Sequence, residues 1–100
     1  MGMQVNSQVV SAPSNERRVH LDALRAAIDT RRELACGVVE RRGMTWVSVV
    51  GFGGARRPVE VGCDYVRSAW WFAWDDGRPI VPAHNVRRAV DVLTRELLTP

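Results

Sequence analysis

Lysine is missing from this chain. All fourteen basic residues are arginine, set against eleven acids for a net charge of +3. An arginine-only basic set reads first as the codon usage of a high-GC bacterial source. Because the acids are interspersed, the sequence lacks the one-sided charge that marks a dedicated nucleic-acid binder. Only two cysteines are present, Cys36 and Cys63, which excludes a disulfide framework. With His20 and His84 they make four conceivable metal ligands, but no two fall at the short spacing of zinc sites, so no metal is expected. No apolar run approaches the roughly 18 residues of a membrane span. The first residues have no apolar signal core, and Asn6 stands where a myristoylation signal after Gly2 needs Ser or Thr. A cytoplasmic protein with no membrane partner is expected.

Cofactor motifs are absent too. Gly51-Phe52-Gly53-Gly54-Ala55-Arg56-Arg57-Pro58 is glycine-rich, but a phosphate cradle needs a helix after its glycines. Here Pro58 leads into Val59-Glu60-Val61-Gly62-Cys63, which alternates as a strand does, so the segment reads as a hairpin loop and no cofactor is expected. Catalysis finds little support either. Cys63, Asp64 and His84 could form a nucleophile, acid and base only if the fold gathered them. Cys63 shares its strand face with Val59, Val61 and Tyr65, which looks like core, and no catalytic residue is assigned.

What the chain does have is aromatic density in one place. Trp70-Trp71-Phe72-Ala73-Trp74 holds four of the seven aromatics, with Asp75-Asp76-Gly77 closing it as a turn. Strand side chains alternate between faces, so Trp70, Phe72 and Trp74 point one way and Trp71 the other. Large side chains on both faces must be covered on both, or leave an adhesive surface.

Around that strand, residues 1–16 read as a mobile tail and residues 17–100 as a single α+β domain. Leu21, Leu24 and Ile28 mark a helix over 18–32. Residues 34–41 and 44–52 form a hairpin about Arg41-Arg42-Gly43, and a third strand begins at Val59. The fourth strand is 69–75, after which Arg78-Pro79-Ile80-Val81-Pro82 leads out in extended form. A final helix over 83–98 carries Val86, Ala89, Val90, Leu93 and Leu97 on one stripe, with Asn85 or His84 as cap. The expected fold is helix, four-stranded antiparallel meander, helix, with both helices on one sheet face.

The strand 44–52 is apolar on both sides. Met44, Trp46, Val50 and Phe52 are placed under the helices with Trp70, Phe72 and Trp74. Val47, Val49 and Trp71 are placed on the other face, as an interface for a second copy of the chain or another cytosolic protein. Trp and Arg dominate interface energetics. A nucleic-acid reading competes with this one. Ten arginines fall in five doublets, Arg17-Arg18, Arg31-Arg32, Arg41-Arg42, Arg56-Arg57 and Arg87-Arg88. In that reading Arg87, Arg88, Arg56 and Arg57 contact phosphate while exposed tryptophans stack bases. A third reading has Trp46 and the strand-four tryptophans line an apolar pocket, with Arg67 or Arg78 holding an anionic end.

Trp70-Trp71-Phe72-Ala73-Trp74-x-x-Gly77-x-x-Ile80-x-Pro82-x-x-Asn85, running into an amphipathic helix, resembles the C-terminal half of a family of small actinobacterial proteins. The resemblance covers about 30 residues and implies a bacterial cytosolic protein, with no activity attached. The element order also resembles the double-stranded RNA-binding domain, whose last helix begins with a basic cluster where Arg87-Arg88 stands here. The fourth strand, the lack of lysine and the Trp-rich segment depart from that pattern.

Overall fold

The computed structural model describes residues 13–53 and 57–98. Helix α1 (Pro13–Ile28) is followed by strands β1 (Leu34–Arg41), β2 (Met44–Gly51), β3 (Val59–Val66), β4 (Ala69–Trp74) and β5 (Pro79–Pro82), then helix α2 (Val86–Leu98). The strands form one antiparallel sheet in sequence order. The expected meander is thus present with a fifth strand, because the extended Pro79–Pro82 segment pairs with β4 through Trp71↔Pro82 and Phe72↔Val81. Two prolines fit there because β5 is an edge strand, where an outward backbone position needs no N–H.

Helix α1 begins five residues before the apolar stripe predicts, so residues 13–16, expected in the tail, belong to its first turn. Proline is tolerated at a first helical position, whose N–H has no intrahelical partner. The rest of the expected tail lies outside the described residues. The helix also stops at Ile28, short of the expected residue 32, and Thr30 Oγ1 closes its end by donating to the Ala27 carbonyl at 2.7 Å. At α2 the cap is Asn85, whose Oδ1 accepts from the Arg88 N–H at 3.3 Å.

Three turns fix the register. Arg42 and Gly43 (φ 53° and 78°) form one two-residue hairpin turn, and Arg67 and Ser68 (φ 51° and 66°) form another. Positive φ at both central positions matches the twist of paired strands. Gly77 (φ 93°) closes the third. There Asp76 accepts from the Arg78 backbone N–H and from its Nε at 3.0 and 2.7 Å. Those bonds hold the Asp76 carboxyl below its ordinary range, as part of a turn.

One core lies between the sheet and the helices. Leu21, Leu24 and Ile28 of α1 and Ala89, Val90, Leu93 and Leu97 of α2 bury Val47, Val49, Val61, Cys63, Phe72 and Val81. All these strand residues share a face, since Val47 pairs with Val61 and Cys63 with Phe72. Both helices therefore lie on one side, as expected. The assignment of β2, however, is reversed. Val47 and Val49 are fully buried beneath the helices, and Trp46 lies on the opposite face. Alternation could not choose, because both faces of β2 are apolar. The choice is made by Gly62, which has no side chain and leaves a seat for the Trp46 ring.

Candidate interaction face

The face away from the helices is built around two tryptophans. Trp46 projects from β2 across β3, where a Cβ on Gly62 would meet its ring carbons at 2.8 and 3.0 Å. A glycine within a strand often marks such a close approach. Ala73 stands opposite Gly62 on β4 and is 3% exposed, so small residues sit between the large rings. Trp71 lies two residues back on the same face, directly across from Asp64 on β3.

A groove of about 460 Å³ opens beside Trp71, lined by Asp64, Val66, Arg67, Ala69, Ala73, the turn residue Gly77 and Pro79 at the start of β5. Its walls are mostly apolar, and Val66 at its rim is 46% exposed. Two opposite charges border it. Asp64 comes from β3 and Arg67 from the β3–β4 turn, and among the described residues neither has a hydrogen bond or ion pair. Trp71 was legible from alternation alone. Its neighbours were not, because the lining is assembled from three strands and two turns whose register the sequence does not spell out.

The adjacent residue behaves differently. Trp70 faces the helices, and its indole Nε1 donates to Glu16 Oε1 at 3.0 Å. The Arg17 guanidinium lies 5.4 Å from the ring centre, His20 packs at 5.7 Å and Tyr65 meets it edge-on at 5.3 Å. Arg17 also donates to the Cys63 carbonyl at 2.8 Å. The β2–β3 ladder stops at Val47↔Val61, so Cys63 lacks a β2 partner, and arginine supplies what a buried carbonyl requires. Trp70 and Arg17 thus fasten the start of α1 to the sheet.

Other candidates are dispersed. Arg87 and Arg88 are exposed at the start of α2, Arg57 is exposed after the glycine-rich loop, and Arg56 lies outside the described residues. Several remaining doublet arginines have partners within the chain. Arg18 pairs with Asp22 and Glu40, Arg31 with Asp91 at 2.7 Å, and Arg41 with Glu60. Arg78, proposed for a ligand pocket, is held by Asp76, and Trp46 is not in the lining of the Trp71 groove.

The thiols are poor nucleophiles. Burial pushes the Cys63 thiol up to about 12, although the Arg17 charge pulls the other way. Burial, followed by the charge and hydrogen bond of Asp29, pushes Cys36 up to about 11. A thiol needs its anion to react, and these hold their protons at neutral pH. His84 is exposed at the turn before α2. Among the described residues no three His, Cys, Asp or Glu side chains gather as a metal site would require, and no helix is long and apolar enough to cross a membrane. No family model, curated protein or solved structure matches the chain.

Proposed function

We propose that this chain is a non-enzymatic protein–protein interaction module that pairs with a second copy of itself through the sheet face opposite the helices. The observation that supports this reading most strongly is Trp71. It is a large indole beside an apolar groove, on the face that the helices leave uncovered, with no intramolecular polar contact among the described residues. Tryptophan is a preferred anchor residue in protein–protein interfaces. High thiol pKa values, and the absence among the described residues of any gathering of three His, Cys, Asp or Glu side chains, argue in the same direction.

Size-exclusion chromatography with light scattering, read at 260 and 280 nm on protein prepared without nuclease, tests this. A dimer with a protein-like absorbance ratio supports the reading. A monomer that carries nucleic acid overturns it and directs attention to Arg57, Arg87 and Arg88. One observation favours a second reading, namely that the groove volume lies within the ~300–1,000 Å³ of small-molecule sites. A monomer whose Trp fluorescence shifts on addition of small apolar compounds would support that alternative.

A further inference from the structure

We infer that the pairing is isologous, with Asp64 of each copy meeting Arg67 of the other across a two-fold axis beside the Trp71 grooves; this rests on the pairing proposed above. The argument starts from cost. Covering the Trp71 groove removes water from Asp64, which stands directly opposite Trp71 on the neighbouring strand. A carboxylate enclosed without a partner is strongly unfavourable, so whatever covers the groove must bring a cation to Asp64. By the same reasoning it must bring an anion to Arg67, whose guanidinium borders the same groove. Neither charge is satisfied within its own chain among the described residues.

A second copy supplies both at once. In a two-fold interface, if residue i of one copy touches residue j of the other, then j touches i. One Asp64–Arg67 contact therefore implies its twin, and no charge is left over. An unrelated partner would need to reproduce the same two charges in the same arrangement around an apolar plug.

The test is a charge swap in the full chain. Asp64→Arg alone sets arginine against arginine at both contacts, and Arg67→Glu alone sets acid against acid. Each should weaken dimerisation by about a hundredfold or more, because like charges facing each other across an interface cost several kcal/mol. Mixing the two variants in equal amounts should restore a dimer containing one of each, since every contact again joins opposite charges. That restoration also shows that both variants are folded. A wild-type dimer whose single variants stay dimeric, or whose mixture stays monomeric, overturns the Asp64–Arg67 arrangement and leaves the pairing itself standing. A wild-type monomer overturns the pairing and this inference with it.

Discussion

Trp70 and Trp71 are neighbours in sequence and opposites in circumstance. Trp70 has a hydrogen-bond acceptor, a cation over its ring and two aromatic neighbours, all supplied by α1 and β3. Trp71, one residue on and facing the other way, has an apolar groove beside it and two charges that are unpaired among the described residues. Nothing in local propensity separates the two residues. The distinction comes from the helices, which both lie on one side of the sheet and leave the other side bare among the described residues. A residue's role here is set by its face rather than by its type.

The comparison is broken most severely on the covered side. Phe72→Ala removes a fully buried ring from the middle of the core and should destabilise the protein by about 3–5 kcal/mol. Urea denaturation followed by far-UV circular dichroism measures that loss, and a variant as stable as wild type would contradict the packing described. Trp71→Ala should act on a different quantity. It should cost about 2 kcal/mol or more of association, while the concentration-independent stability of the protomer changes far less. Light scattering across a dilution series separates the two effects.

Gly62→Ala sharpens the comparison from the uncovered side. Its new methyl group would press on the Trp46 ring at 2.8 Å, and overpacking of this sort costs roughly 1–3 kcal/mol. Thermal denaturation reports the cost, and Trp46→Leu in the same background should recover part of it. Glu16→Gln weakens the exposed hydrogen bond from Trp70, for an expected stability loss of about 0.5 kcal/mol with dimerisation unchanged. If that change instead altered the oligomeric state, the division between the two faces would be wrong.

A further effect is on alkaline stability. Both thiols titrate above their ordinary value of 9.0 in the folded chain, near 11 for Cys36 and 12 for Cys63. The unfolded chain therefore loses these protons first as pH rises. Their contribution is fully present below the unfolded value and is lost as pH climbs through the folded ones. Urea midpoints should fall between about pH 8 and about pH 10, and Cys63→Ala should narrow that difference.

Much of this arrangement was legible in the sequence because the signals were local. The α2 stripe, a cap at Asn85 or His84, the Asp75-Asp76-Gly77 turn and a shared face for Trp70, Phe72 and Trp74 each follow from spacing alone, and the fold uses Asn85 and turns that face inward. What was not legible depended on comparing strands. Val47 and Val49 were expected on the uncovered face, yet they lie in the core because Val61 and Val59 stand beside them and Gly62 leaves room for Trp46 on the other side. A strand apolar on both faces does not state its orientation; its neighbours do. The Val59–Val66 strand held the answer in a single internal glycine. The groove was hidden for a related reason, since Asp64, Arg67 and Pro79 are brought to Trp71 only once two hairpins have been set in register.

The central claim is that the face bearing Trp71 is a surface for pairing with a second copy. Its most direct test is light scattering of wild type beside Trp71→Ala over a concentration series, with circular dichroism to verify folding. The account predicts a wild-type mass twice the 11.2 kDa of one chain and a folded Trp71→Ala variant that falls to a single chain. A wild type that stays at one chain mass throughout, or a variant that dimerises as well as wild type, would contradict it.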